Sequence, residues 1–220
     1  MEETKKLIPK RRFKEFQNAG EWEQRKLGEL TQIKTGASDV QDAVEDGMYP
    51  FFVRSENVER SNRYLFDGEA ILIPGEGRLG DIYHYINDRF DYHQRVYKVS
   101  NFNENVDGKF TLYTMQSTFK KHAMKHTVKA TVDSLRLPML TEYQLMIPKI
   151  EEQKKIGELL LGIDNLITLQ QHKLEKIKAM KKLIYLLLIP LLYGCVAQNQ
   201  IWFGERSNSI SEENNQVIRV

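Results

Sequence analysis

The chain has 220 residues, enough for one ordinary domain with an appendage or for two small domains. Its apolar fraction of 41% excludes a wholly disordered chain. A single cysteine, Cys195, excludes an internal disulfide framework and a cysteine-based zinc site within one chain. The net charge is only +2, so binding to nucleic acid would require a local arrangement of basic residues.

The sequence begins with a basic leader, residues 1–20, which has no apolar stretch typical of a secretory signal. We therefore expect a cytoplasmic protein, and we expect the leader to have little reason to pack. Residues 21–148 predict a mixed domain of helices and mainly short strands. Runs rich in β-branched and aromatic residues predict strands, and one stretch has helical spacing. The predicted strands are 49–53, 70–73, 81–86 and 94–99, and the helix is 111–126.

Residues 149–187 differ in kind, because from residue 151 onward they contain no proline and only two glycines. Apolar residues recur at alternating intervals of four and three, which is the spacing of a coiled coil. A helix over 151–187 would be about 55 Å long and could not bury this seam alone, so we predict a partner helix. The fold class is therefore α+β, a globular domain followed by a long C-terminal coiled-coil helix. The predicted seam comprises Ile156, Leu160, Ile163, Ile167, Gln170, Leu174 and Ile177.

The tail, residues 188–220, is atypical. The run 183–197 is strongly apolar, but it is shorter than the roughly 18–20 residues that span a bilayer, and it contains Pro190. We therefore predict no membrane segment. Residues 201–220 are polar and rich in Asn, Ser and Glu, so we expect a disordered tail.

Two motifs that could carry chemistry are better explained otherwise. The sequence Gly75-Glu-Gly-Arg-Leu-Gly80 matches a dinucleotide-binding pattern, but that site needs a helix to start at the turn. A strand-like run follows instead, so we interpret a hairpin-like loop. His122 and His126 are four residues apart, yet no further ligand accompanies them and the nearby lysines would oppose a cation. The sequence predicts no metal site and no catalytic residues.

Two stretches carry the residue types expected of a DNA-binding surface. Residues 54–63 offer three arginines and two asparagines, which suit bidentate contacts with guanine and adenine edges. Residues 120–129 contain four lysines and no acid, which suits contacts with phosphates. The candidate DNA-binding residues, with one arginine added from the glycine-rich loop, are Arg54, Asn57, Arg60, Arg63, Arg78, Lys120, Lys121, Lys125 and Lys129.

Several segments resemble the specificity (S) subunits of type I restriction-modification systems. Residues 22–30 (WEQRKLGEL) resemble the opening of their target recognition domain. Residues 64–70 (YLFDGEA) and 93–97 (HQRVY) resemble its middle. The closing part of that domain and the conserved helix after it also have counterparts here. They are resembled by residues 130–135 (ATVDSL), 147–156 (IPKIEEQKKI) and 161–182. The resemblance covers about residues 10–182.

The resemblance implies a function. Residues 21–148 would be a DNA target recognition domain that reads one half of a bipartite site in double-stranded DNA. The helix 149–187 would belong to an antiparallel pair that spaces the two half-sites and docks methyltransferase (M) subunits. S subunits perform no chemistry, so no cofactor is expected in this chain. S-adenosylmethionine, ATP and Mg²⁺ would be bound by the M subunits and the restriction (R) subunit.

The sequence departs from this family in two ways. A complete S subunit has two recognition domains and two conserved helices, whereas no internal repeat is present here. We therefore interpret a half-length S subunit that pairs with a second copy, with Gln170 as a register device. The tail after Lys182 does not resemble the family, which suggests a truncation or a recombination junction. Three alternatives remain open: a coiled-coil adaptor that does not bind DNA, an inactive truncated cassette, and a stand-alone DNA nuclease.

Overall fold

The structure, a computed structural model, describes residues 8–126 and 134–217, with side chains described for 8–125 and 134–189. It divides into two compact units at Gly162. Short 3-10 turns lie at Lys14–Phe16 and Val40–Asp42. The strands are β1 (Glu23–Lys26), β2 (Gln32–Thr35), β3 (Tyr49–Phe52), β4 (Val58–Ser61), β5 (Phe66–Pro74), β6 (His84–Tyr92), β7 (Val96–Ser100) and β8 (Gln144–Ile147). The helices are α1 (Leu27–Leu30), α2 (Gly108–His126), α3 (Leu137–Thr141) and α4 (Ile150–Val217).

Six strands form the main sheet in the order β2-β7-β5-β6-β3-β4, and β1 pairs with β8 in a separate two-stranded sheet. All pairs are antiparallel except β3 with β6. Strands followed by helices confirm the predicted α+β class. The strand predicted at 81–86 begins later, at His84, and runs to Tyr92.

The ribbon formed by β5 and β6 is strongly curled. Leu72 on β5 pairs with His84 on β6 and with Lys98 on β7, so β6 and β7 flank β5 on opposite sides. In a flat sheet the end of β6, Tyr92, would lie about 33 Å from the level at which β7 begins, but the link of residues 93–95 reaches only about 14 Å. The Lys98 Nζ lies 3.2 Å from the ring centroid of Phe66, at the far end of β5. Both observations require that the ribbon bend back on itself.

The curl creates two apolar clusters, one on each face of β5. Ala70 and Leu72 point into the curl, where they meet residues of β3, β6 and β7. Ile71 and Ile73 point to the opposite face and pack in the larger cluster, which includes buried residues of α2. The central strand is therefore buried on both faces. This explains why it reads as a continuous apolar run rather than as an alternating pattern.

The start of α4 is fastened to the first compact unit by two buried polar side chains. Gln153 accepts a hydrogen bond from the backbone N–H of Asp107 and donates to the carbonyls of Asn105 and Pro148. Glu152 accepts both Nε and Nη2 of Arg12 at 2.7 and 2.6 Å. Arg12 also donates to the carbonyl of Gly20. The expectation that the leader has little reason to pack is therefore wrong for the segment around Arg12.

The end of the chain also differs from the prediction. The polar tail, residues 201–220, is expected to be disordered, but the backbone of α4 is helical through Val217. Polar composition indicated disorder, whereas polar residues are equally compatible with an exposed helix. Among the residues that the structure describes, no helix is both long enough and apolar enough to cross a membrane.

Burial of the Lys98 ammonium generates a stability prediction. Burial, together with the smaller effect of the charge of Lys34, which pairs with it across β2 and β7, lowers the pKa of Lys98 to about 8. The unfolded chain holds this proton up to its ordinary pKa, so it binds more protons than the folded chain above pH 8. The contribution of Lys98 to the free energy of unfolding should therefore rise with pH between about 8 and 10.

Replacement of Lys98 by methionine should raise the free energy of unfolding at pH 7 by about 1–3 kcal/mol and should flatten this rise. Urea unfolding at pH 7 and pH 9.5 measures both effects. The exposed control Lys121→Met should change neither. A Lys98→Met protein that is less stable at both pH values would show that the contact between the ammonium and the Phe66 ring outweighs desolvation.

Candidate nucleic-acid interface

Three loops meet at one carboxylate. We define the three-loop cluster as residues 53–57 after β3, residues 75–83 between β5 and β6, and residues 93–95 between β6 and β7. Glu76 accepts a hydrogen bond from Arg54 at 3.1 Å and also pairs with Arg95. These hydrogen bonds, with that from Arg54 the larger, outweigh partial burial and lower the pKa of Glu76. Two arginines from different loops are thus held side by side.

Further contacts tie the first two loops together. Arg78 pairs with Glu56 at 2.6 Å, and a ring nitrogen of His84 lies 3.1 Å from the carbonyl oxygen of Ser55. Asn57 lies at the exposed end of the same loop. The cluster therefore brings together three of the predicted DNA-binding residues, Arg54, Asn57 and Arg78. All three are exposed.

The second predicted stretch lies on α2, next to the 75–83 loop. Gly80 has a φ of +69° and sits so close to the backbone of Lys120 that a Cβ would approach it at 3.0 Å. The Lys120 ammonium bonds both carboxylate oxygens of Asp81, at 2.7 and 2.8 Å. Lys121 and Lys125 are exposed on the same helix. Lys129 lies outside the described residues.

Two of the predicted arginines, Arg60 and Arg63, also hold a loop of this chain. Arg60 donates to the carbonyls of Gly47 and Met48 at 2.8 and 3.0 Å, and so fastens the loop before β3. Arg63 donates to Asp42 at 2.7 Å and to Ser38 at 2.9 Å. Both arginines therefore hold the loop between β2 and β3. Their side chains bind backbone and loop groups of this chain.

Arg63 also completes a buried polar network around Asp91. This carboxylate is fully buried and accepts hydrogen bonds from Ser38 at 2.5 Å and from Ser61 at 3.0 Å. The Arg63 Nε lies 3.4 Å away and supplies the compensating charge. Asp91 thereby joins β4, β6 and the loop after β2.

Sequence reasoning missed Arg95 and Glu76 as members of the cluster. The position of Glu76, shortly after the predicted strand 70–73, was an available signal, whereas Arg95 falls within the predicted strand 94–99. Their meeting depends on the pairing of β5 with β7, which sets Pro74 opposite Val96 and which no local pattern reveals. Among the described residues, no group of three or more His, Cys, Asp and Glu side chains could hold a metal ion.

The seam of the second compact unit is open to solvent. Ile163, Ile167, Leu174 and Ile177 are each 42–56% exposed. Every residue from 162 to 189 is exposed. In the first unit, Ile156 packs partly against the large apolar cluster. The predicted need for a partner helix thus applies to the described part of α4 beyond Gly162.

Comparison with known families identifies the family of this chain. Residues 19–179 match the type I restriction modification DNA specificity domain. The chain belongs to this family. Within the specificity-domain family it is 28% identical over 162 residues to the type I restriction enzyme EcoDI specificity subunit of Escherichia coli, covering 74% of this chain and 35% of that protein. It is 34% identical over 119 residues to the MjaVIII specificity subunit of Methanocaldococcus jannaschii, covering 53% and 28%.

Solved structures show the same fold. The S subunit of a type I restriction-modification system from M. genitalium superposes with a TM-score of 0.59 at 18% identity, covering 73% of this chain and 42% of that one. The HsdS subunit from Thermoanaerobacter tengcongensis gives a TM-score of 0.51 at 14% identity, covering 67% and 38%. Of the two curated relatives, the E. coli and M. jannaschii specificity subunits, this chain spans about a third of the length.

Measurements of the free energy of unfolding can distinguish the role of Arg63 from that of Arg78. Arg63→Ala should lower the free energy of unfolding by about 1–3 kcal/mol, because the buried Asp91 loses its counter-charge. Arg78→Ala should change it by less than about 0.5 kcal/mol, because both side chains of its pair with Glu56 are mostly exposed to solvent. Urea unfolding of the two variants makes the comparison. Equal stability of both would show that the Asp91 network does not depend on Arg63.

Proposed function

We propose that this chain is a DNA recognition subunit that reads one half of a bipartite target and performs no chemistry itself. The observation that carries the proposal is the family match over residues 19–179, together with the exposed arginines of the three-loop cluster. A protein of this kind would act in the cytoplasm, where the DNA is. Because the chain spans only part of its relatives, the target, the partners and the activity of the whole assembly belong to the proposal.

The site would combine two kinds of contact. The guanidinium groups of Arg54, Arg78 and Arg95 suit the N7 and O6 acceptors of guanine in the major groove. Lys121 and Lys125 suit phosphates, which position a protein without reading sequence. In the free protein Glu76 and Glu56 keep the arginines paired, which holds the long side chains near the surface that DNA would meet. Binding would exchange these carboxylates for base edges or phosphates.

The partners would supply the chemistry. We propose that M subunits bind S-adenosylmethionine and methylate adenine, and that an R subunit uses ATP and Mg²⁺ to cleave. The role of this chain would be to bring these subunits to a chosen sequence. No step of the reaction is assigned to its residues.

We also propose that the open seam of α4 pairs with the seam of a second copy. The charge along the helix favours an antiparallel arrangement. Residues 157–170 carry two acids and no base, whereas 171–182 carry five lysines and one glutamate. Parallel helices would place the two lysine-rich halves side by side, whereas antiparallel helices place each next to an acidic half. The resulting two-fold symmetry would present two identical recognition domains.

The function is tested by producing the chain with the M subunit encoded beside it and mapping methylated adenines across a host genome. We expect methylation at a split motif whose two halves are the same sequence in inverted orientation. A control with the M subunit alone should give no such motif. Absence of sequence-specific methylation with both proteins folded and associated would contradict the recognition role, and a motif with unrelated halves would contradict self-pairing.

The lysines of α2 make a separate prediction about salt. Lys125→Ala should weaken binding to all duplex sequences alike. It should also reduce the slope of log affinity against log salt by about one, because one phosphate contact is lost. Fluorescence anisotropy at several salt concentrations measures the slope. Lys176→Ala, an exposed lysine outside the predicted surface, is the control. An unchanged slope would remove Lys125 from the interface.

A further inference from the structure

Glu76 differs from Glu56 in the number of arginines that it binds and in its access to water. One oxygen of Glu76 pairs with Arg54 and the other with Arg95, so a single carboxylate holds two guanidinium groups. The Glu76 side chain is 26% exposed, whereas that of Glu56, which pairs with Arg78, is 63% exposed. Water can therefore hydrate Glu56 when its arginine leaves, but it reaches Glu76 much less.

The backbone on both sides of Glu76 is hydrogen-bonded to other segments. The N–H of Gly75 donates to the carbonyl of Arg95 at 2.8 Å, and the N–H of Leu135 donates to the carbonyl of Gly75 at 2.8 Å. Glu76 itself forms an antiparallel bridge with Ser134. A Cβ at position 75 would lie 2.8 Å from the Arg95 carbonyl oxygen, so this close approach requires glycine. The loop therefore keeps the Glu76 carboxylate between the two arginines even when they bind elsewhere.

This arrangement makes release of the two arginines costly on DNA of arbitrary sequence. A phosphate can attract Arg54 or Arg95 by its charge, but the carboxylate that they leave behind then lies near the negative DNA backbone with little water around it. A charge that loses its partner on an unwanted ligand is one source of specificity. Glu76 therefore opposes binding to phosphates wherever no other group compensates its charge.

A G·C base pair supplies that compensation. In the major groove guanine presents two acceptors, N7 and O6, and cytosine presents one donor, the N4 amino group. Arginine suits the guanine, and a carboxylate suits the cytosine amino group. In an A·T pair the amino donor of adenine lies next to its N7 acceptor, which repels a carboxylate. An arginine and a carboxylate held side by side thus match both bases of a G·C pair.

We propose that Glu76 is a specificity-determining residue, which accepts a hydrogen bond from N4 of a cytosine whose guanine is bound by Arg54 or Arg95. The inference rests on the proposed DNA recognition, and it names one base pair that the half-target contains. At the correct sequence the arginines and the carboxylate exchange each other for base edges. At other sequences the exchange leaves Glu76 without a partner, so the arginines stay bound to it.

Methylation mapping of the chain together with the M subunit tests the base contact. The wild-type chain should give a half-target with at least one fixed G·C pair. Glu76→Gln should admit adenine in place of the cytosine, because glutamine forms two hydrogen bonds with adenine. Arg54→Ala or Arg95→Ala should relax the same base pair. The control Glu175→Gln removes the same charge from the second compact unit, where Glu175 pairs with Lys178, and should leave the motif unchanged.

Binding to a duplex of random sequence tests the competition with phosphate. Glu76→Gln should raise the affinity about tenfold and steepen the slope of log affinity against log salt by about one to two, because two arginines become available to phosphates. Glu56→Gln should raise the affinity less than about threefold, because Glu56 is already hydrated when Arg78 leaves. Fluorescence anisotropy at several salt concentrations measures both quantities, and circular dichroism checks that the variants are folded.

The results that would overturn the proposal differ from those that would overturn DNA recognition. A wild-type half-target without a fixed G·C pair would overturn the role of Glu76 and leave recognition intact. A Glu76→Gln chain that keeps the wild-type motif, or that binds random DNA no more tightly, would do the same. A wild-type chain that associates with the M subunit but directs no sequence-specific methylation would overturn recognition, and the role of Glu76 with it.

Discussion

The curl of the β5–β6 ribbon is the constraint on which the candidate interface depends. Only because the ribbon bends back can residues 93–95 connect two strands that lie on opposite sides of β5. Arg95 meets Glu76 because β7 pairs with β5, with Val96 opposite Pro74. The bend brings the end of β6, and with it β3 and Arg54, to the same end of β5. Burial of Leu72 and its neighbours inside the curl stabilises the bend. Apolar packing thus determines where the polar loops meet.

The arginines of this domain form two groups, according to whether the carboxylate that each one contacts is buried or exposed. Arg63 bonds to Asp91, which is fully buried, so its position is tied to the folding of the sheet. Arg78 bonds to Glu56, and both side chains are 63% exposed, so that pair exchanges with a competing anion at little cost. A surface for DNA needs the second kind, since its cations must be released to phosphates and bases. The near-neutral net charge of the chain is compatible with this division, because the acids that hold the arginines are local.

The sequence predicts features that depend on residues close together in the chain better than features that depend on residues far apart. The apolar positions of the α4 seam recur within a few residues, and the short strands are rich in β-branched and aromatic residues. Both features could therefore be predicted. The contact of Arg12 with Glu152 joins residues 140 apart, and nothing near Arg12 indicates a buried partner. Likewise, Arg63 and Arg78 are chemically the same in the sequence. Only the pairing of β3 with β4 and β6 brings Arg63 to Asp91 and separates a structural arginine from an available one.

The physical need for a second helix follows from what one chain contains. Helix α4 presents an apolar seam of 4-3 spacing, and its residues 162–189 are exposed in the single chain. Leaving several leucine and isoleucine side chains in water costs free energy that burial against another seam would recover, at about 1.5–3 kcal/mol for each side chain fully buried. A protein with two recognition domains in one chain can supply both helices itself. In the proposed self-pairing the second helix comes from an identical copy, so the two recognition surfaces are related by symmetry. In that proposal the seam links the stability of the helix to the arrangement of the DNA target.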